Sequence, residues 1–337
     1  MIERYAKEEI TKIWSDENKL GLWQKTELAV IQAIANLGQV PKEVYDEISK
    51  ILHTNLIDLD WWKEREKEIR HDLEAFLDER RRFLPDNLRI YFHKEITSYD
   101  TEEPAFSRML TDSLTIVKKH CLGITSVLAS MAGKYRYIVM NGRTHGQEAG
   151  LQSFGKRCLT WYRALDVGIE VLEKVEENLK YSKISGILGN YGNIDPVVEK
   201  VALEILGFEP LYGATQIMLR ELYAPIAQAL CQIVLTLDKI ATDIRLGARS
   251  GRPIYQEPFS KTQKGSSAMP HKKNTISCEQ IEGMARMAKG YYSMIMNNIK
   301  TWEERAIEQS CVERVAWPDL FHIVVHSLET MEKVLEG

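Results

Sequence analysis

The sequence predicts an all-α protein: a small N-terminal helical domain over residues 1–96, then a long central helical bundle over residues 97–337. Two observations carry this expectation. From Pro104 onward, apolar residues recur at spacings of three and four over stretches much longer than an ordinary helix of ~12 residues. No strand signal separates those stretches, and glycines gather in the connectors between them. Long amphipathic helices joined in this way bury their stripes against one another.

The elements follow in chain order. Ser15-Asp16-Glu17 ahead of Leu20 marks a helix start, with Trp23, Leu28, Ile31 and Ile34 as its apolar series. Pro41 heads a second short helix, a position that proline tolerates. Asp58, Asp60 and the alternation from Lys63 to Glu68 indicate an exposed helix laced by near-neighbour ion pairs. Arg80-Arg81-Arg82 is the only basic block and reads as a solvated helix end, where cations are favoured.

In the second part, one stripe runs Phe106, Leu110, Leu114, Val117, Cys121, Ile124, Leu128 and Met131. A second runs from Leu151 through Phe154, Cys158, Trp161 and Leu165 to Leu179, and a third from Leu219 to Ile244. Pro225 lies inside the third and is expected to kink or start that helix. Two more helices are expected over 273–300 and 307–335.

With 337 residues, 44% hydrophobic and 27% charged, the chain has the composition of a soluble globular protein with ample core. A net charge of −4 gives no bulk attraction for nucleic acid or an anionic membrane. Five scattered cysteines without a CxxC pair fit reduced thiols rather than a disulfide frame or zinc site. No run approaches the ~18 consecutive apolar residues of a membrane span, and residues 1–7 lack the apolar segment of a signal peptide. A cytoplasmic protein is expected, and neither composition nor motif calls for a metal or cofactor.

Chemistry concentrates in the connectors. Gly265-Ser266-Ser267-Ala268-Met269-Pro270-His271-Lys272-Lys273-Asn274 suits neither helix nor strand, and a polar loop on a rigid scaffold is where function gathers. Arg70-His71-Asp72 places a histidine beside a carboxylate, which suits either a helix cap or a tuned proton carrier. Thr97-Ser98-Tyr99-Asp100 could cap the first long helix or donate hydrogen bonds to a substrate carboxylate. Gly142-Arg143-Thr144-His145-Gly146 presents polar groups on a turn, and Thr215-Gln216 precedes another long stripe.

The loop resembles the GSSxMPxKxN signature of the fumarase/aspartase superfamily, whose members cleave C–N or C–O bonds and release fumarate. Its His271-Lys272 form resembles the adenylosuccinate lyase family, and the other connectors match that family in the same order. Arg4-Tyr5, Lys183-Ile184-Ser185-Gly186, Asn193-Ile194-Asp195-Pro196, Glu279, Trp302-x-Glu304-Arg305 and Ser310-x-x-Glu313-Arg314 extend the likeness from residue 1 to about 320.

The resemblance implies β-elimination of fumarate from adenylosuccinate to give AMP, and from the succinylated carboxamide ribotide of purine synthesis (SAICAR to AICAR). Such a reaction needs a base for the carbon acid, an acid for the departing nitrogen and fixed donors for the dianionic intermediate. The family implies Ser266, with Lys272 stabilising its alkoxide, as base. It implies His145 as acid, supported by His71 and Asp72. Thr97, Ser98, Lys272 and Asn274 would hold the succinyl carboxylates, and Arg4, Tyr5, Ser310 and Arg314 the phosphate. Gln216, Glu279 and Arg305 would complete the pocket. The family also implies a homotetramer in which three subunits share each site.

Several positions depart from the family pattern. Thr275 replaces a proline after the loop (262–275), Lys94-Glu95-Ile96 replaces a glycine-containing step, and Ala306 stands where aspartate is common. Glu102-Glu103 puts an acidic pair where the family is more apolar, tolerable near an anionic substrate only if it points outwards. The chain stops at Gly337, so the family's C-terminal domain is expected to be absent. Two other readings stand beside this one: an argininosuccinate- or carboxymuconate-type lyase, and a non-catalytic helical scaffold.

Overall fold

In the computed structural model, all residues are described except Arg252, Lys261 and Pro270, so Pro270 of the signature loop lies outside the described residues. The N-terminal part holds α1 (Glu8–Ile13), α2 (Asp16–Asn36), α3 (Lys42–Thr54), α4 (Leu59–Ile69), α5 (Asp72–Arg81) and α6 (Asp86–Arg89). The Ser15 side chain caps α2 by accepting from Asn18, and Asp58 caps α4 by accepting from Trp61. The exposed face of α4 carries the expected ion pairs Lys67–Glu64 and Arg65–Glu68.

The basic block behaves differently from expectation. Arg82 is exposed, but Arg80 is fully buried. Its guanidinium pairs with Glu79 and donates to the carbonyls of Asn55 (2.8 Å) and Leu56 (3.0 Å). A delocalised, multidentate cation is suited to tie a helix end to the preceding loop in this way.

The bundle consists of α7 (Ser98–Lys134), α8 (Phe154–Glu176), α10 (Arg220–Gly247), α11 (Ile276–Asn297) and α12 (Glu308–Glu336), with the short α9 (Pro196–Leu206) beside it. The apolar stripes form one continuous core, including Leu110, Leu114, Trp161, Leu230, Ile281 and Phe321. By length and hydropathy α10 could cross a bilayer, yet here it is enclosed by α8, α11 and α12 and lies mostly buried. It continues through Pro225, which sits in its second turn, rather than starting there.

Two strand pairs in the connectors are not announced by the sequence pattern, the smaller being Tyr181–Ser182 in parallel with Glu209–Pro210. Val139–Thr144 (β1) and Gln147–Ser153 (β2) form an antiparallel hairpin between α7 and α8. Leu151 therefore belongs to an exposed strand, and the α8 stripe begins at Phe154. The turn residues His145 and Gly146 both have positive φ (53° and 78°), as a tight type I′ hairpin turn requires.

Alternating helix direction gives the bundle two ends. The starts of α7, α10 and α12 lie at one end, with the chain around Gln216 and Arg305. The starts of α8 and α11 lie at the other, with the hairpin and the signature loop. At ~1.5 Å per residue, the 28 residues of α10 hold these ends about 42 Å apart.

Buried charges clamp the first end. Arg220 of α10 donates to both oxygens of Glu313 on α12 (2.9 Å each) and also pairs with Glu103 on α7. Glu103 further accepts from the Met218 amide (3.0 Å) and the Tyr223 hydroxyl (3.1 Å). Beside this cluster, fully buried Lys183 donates to Asp100 (2.5 Å), which also accepts from the Gly186 and Thr97 amides. Asp100 is thus a structural hub behind the Thr97–Ser98 step.

Two outcomes follow for stability. Arg220→Met leaves two buried carboxylates uncompensated and should cost about 3–5 kcal/mol in chemical denaturation; a loss below about 1 kcal/mol would mean that the clamp does not hold these helices together. Glu95, within the Lys94-Glu95-Ile96 step, holds φ at 64°. Glu95→Gly should therefore hold or raise the melting temperature, and a clear fall would show that the Glu95 side chain itself is needed.

Candidate active site

At the first end, His71 is the N-cap of α5 and its Nδ1 accepts from the Glu74 amide at 3.3 Å. That bond places the proton of a neutral imidazole on Nε2. Asp72 accepts from Arg314 at 2.8 Å, and its carbonyl receives the Trp62 indole N–H at 2.9 Å. Ser310, buried in the first turn of α12, donates to the Ile307 carbonyl. Thr97 and Ser98 are half-buried at the start of α7.

Gln216 and Arg305 meet directly, Arg305 donating to the Gln216 side chain at 3.0 Å while lying over the Tyr99 ring at 4.4 Å. Gln216 also donates to the Ile187 carbonyl (2.9 Å), so its amide orientation is set from both sides. Asp72, Tyr99, Ser310 and Arg314 line one cavity of about 290 Å³, whose other wall is aromatic through Trp14 and Phe106.

The acidic pair does not point outwards. Glu103 is absorbed by the Arg220 clamp, and half-buried Glu102 lines this same cavity. Desolvation, then the neighbouring Asp72 carboxylate, push the Glu102 pKa up to about 8 against the opposing pull of Arg314 and Arg305. Burial lowers the Arg314 pKa, but Asp72 and Glu102 outweigh it and leave it raised.

At the opposite end, the signature loop closes on itself. Asn274 donates to the Gly265 carbonyl at 2.6 Å, and the Lys272 amide to Met269 at 3.0 Å. A Cβ on Gly265 would sit 1.8 Å from the Lys272 carbonyl oxygen, so only glycine permits this closure. Within the loop the Ser266 Oγ accepts two backbone amides, from Ala268 (3.3 Å) and Met269 (3.1 Å). Lys272 is exposed.

The loop leads into α11, whose first amides are held by a residue that no local pattern announced. Buried Glu257 accepts from Ser277 (3.0 Å) and Cys278 (3.1 Å). A carboxylate at a helix N-terminus is doubly favoured, by hydrogen bonding and by the helix dipole. Thr275 occupies the N-cap position without a side-chain cap bond. Glu279 is exposed one turn into α11 and pairs with Arg245 at 3.4 Å.

His145 stands exposed at the hairpin tip. Its neighbours Arg143 and Gly146 line a groove against Leu246 and Arg249 at the end of α10. Arg4 and Tyr5 take a third position, with the Tyr5 ring edge-on to His326 at 5.1 Å. His326 lies 16 residues past Ser310 on α12, about 24 Å along the axis. One chain thus brings together Asp72, Ser310 and Arg314, with Gln216 and Arg305 adjoining them through the Tyr99 ring. It leaves Ser266, His145 and Tyr5 elsewhere.

Strained backbone marks several of these places. Positive φ occurs at Arg70 before His71, at Glu95 before Thr97, at His145 itself and at Glu303 before Arg305. Non-glycine residues held in this region are stored strain, and such strain gathers at functional sites.

Residues 3–290 match the family model described as "Lyase". The adenylosuccinate lyase of Thermotoga maritima is 36% identical over the whole chain, which covers 77% of that protein. That of Synechocystis sp. is 39% identical over 95% of the chain and 73% of its own length. Among solved structures, a fumarate lyase from Mesorhizobium sp. superposes with a TM-score of 0.89 at 21% identity, covering 100% of this chain and 77% of the other. A β-carboxy-cis,cis-muconate cycloisomerase from Acinetobacter calcoaceticus gives 0.85 at 21%, covering 98% and 75%, and these two likenesses speak to the fold alone. The chain belongs to this lyase family, and adenylosuccinate lyases stand among its curated relatives.

Proposed function

We propose that the protein is an adenylosuccinate lyase, releasing fumarate from adenylosuccinate to form AMP and acting likewise on the succinylated carboxamide ribotide. The observation that carries the reading is the Ser266 environment, set in a chain similar throughout to adenylosuccinate lyases. Serine is a poor base in water. Two amides aimed at its Oγ stabilise an alkoxide, and Lys272 in the same loop supplies positive charge.

The Ser266 alkoxide takes the proton next to the succinyl carboxylate, and electron density passes into that carboxylate as a dianion. Lys272, Thr97 and Ser98 donate to it. The C–N bond then breaks, the electron pair leaves with the purine nitrogen, and His145 delivers a proton there, with His71 and Asp72 orienting the substrate or supporting that transfer. Ser310 and Arg314, with Arg4 and Tyr5, hold the phosphate, and Gln216 and Arg305 the adjoining pocket. Asn274 acts by holding the loop shut. Glu279 is given a supporting role at the loop base.

The two-ended distribution of these residues supports a homotetramer whose neighbouring subunits run in opposite directions. It brings Ser266 of one chain and His145 of another to the Asp72 cavity of a third. Residues 1–96 act as the N-terminal domain and 97–337 as the assembling bundle. Free cysteines, four of them buried, accord with a cytoplasmic setting.

Fumarate formation from adenylosuccinate, followed by ultraviolet absorbance, should be abundant in the native chain. Ser266→Ala should lower it by about 10²–10⁴-fold. No release by a folded native tetramer would reject the substrate. Ser266→Ala and His145→Gln chains, each inactive alone, should regain measurable activity when unfolded and refolded together. No regain in mixed tetramers would mean that each site is built from one chain.

A further inference from the structure

The cavity at the first end has a charge pattern at odds with the phosphate assigned to it. Five carboxylates line it: Asp16, Asp72, Glu102, Glu103 and Glu313. Against them stand Lys19, Arg220 and Arg314. Arg220 is already committed to Glu103 and Glu313, and Arg314 to Asp72 at 2.8 Å. Lys19 pairs with Asp16 at 3.1 Å, so among the groups that this one chain supplies a phosphate dianion entering beside Arg314 meets Glu102 with no unpaired lining cation, and Arg4 is the further cation that the shared site would add. A phosphomonoester with its second pKa near 6 is fully dianionic above neutrality.

We propose that Glu102 makes this cavity selective for a phosphoryl group that arrives together with a proton, so that the carboxyl group donates to the phosphate instead of repelling it. The proposal rests on the assignment of the substrate phosphate to Ser310 and Arg314. The groups facing Glu102 fix its sign. Asp72 from α5 and Glu103 from α7 favour the protonated form; Arg314 from α12 and Arg305 from the preceding loop oppose it. Burial tips the balance towards the acid, with a pKa of about 8 before any anion binds. Lys19, Asp16, Glu313 and Arg220 complete the surroundings.

A bound phosphate raises that pKa further. Below about pH 8 the carboxyl is already protonated and binding is unhindered. Above it, each binding event must take up a proton, and affinity falls as pH rises.

The test is calorimetric binding of AMP and of adenosine between pH 7 and pH 9, in two buffers of different ionisation heat. AMP affinity should fall about tenfold across that range, with close to one proton taken up at pH 9. Adenosine affinity should stay level, and Glu102→Gln should bind AMP equally at both ends of the range. Level AMP affinity in the native protein, an unchanged slope in Glu102→Gln, or AMP binding no tighter than adenosine at pH 7 would each overturn the proposal. Should the variant not fold, proton uptake by the native protein decides alone. Binding is read without turnover, so a failure of the lyase reading would show separately in the fumarate assay.

Discussion

The clamp formed by Arg220, Glu103 and Glu313 is the constraint on which the rest of the first end depends. It joins α10, α7 and α12 at one level, and every oxygen it buries has a partner. Hydrophobic stripes alone would let these helices slide along one another, because apolar contact is not directional. A bidentate arginine between two carboxylates fixes their relative height. Asp72, Ser310, Tyr99 and Arg305 inherit their positions from that alignment.

The opposite end is organised by backbone closure instead. Glu257 fixes the start of α11, Asn274 ties the neck of the loop, and Gly265 lets the two backbone runs touch. The loop then presents Ser266 with its oxygen already solvated by amides. One end works through buried ion pairs, the other through amides and a glycine, and about 42 Å of apolar helix separates them.

Much of this was legible in the sequence, for definite reasons. Long stripes at helical spacing identify long helices whatever their partners, so α7, α8, α10, α11 and α12 emerge close to their observed limits. Side-chain caps are local, so Ser15 and Asp58 are readable as well. The β1–β2 hairpin was missed because neither VMNGRT nor QEAGLQS alternates apolar with polar residues, and no residue of either strand is fully buried. Glu257 was missed because it caps a helix from some 20 residues upstream, with no fixed spacing to search for. Arg80 was misjudged because a run of like charge gives no hint that one member turns inward to carbonyls. The motif residues and their sharing among subunits were legible by resemblance, whereas which of them fall at which end follows only from helix direction.

The step before Thr97 carries a wider lesson. Glu95 holds a left-handed torsion that a glycine would adopt freely, and His93 two residues earlier does the same. The shape of the chain entering α7 is therefore dictated by its surroundings: the Asp100–Thr97 bond on one side and the His93–Glu27 contact on the other. Once neighbours enforce a torsion, a residue other than glycine can hold it without changing the path of the backbone. A step without glycine can therefore keep a left-handed turn, at the cost of strain that the surrounding contacts must carry.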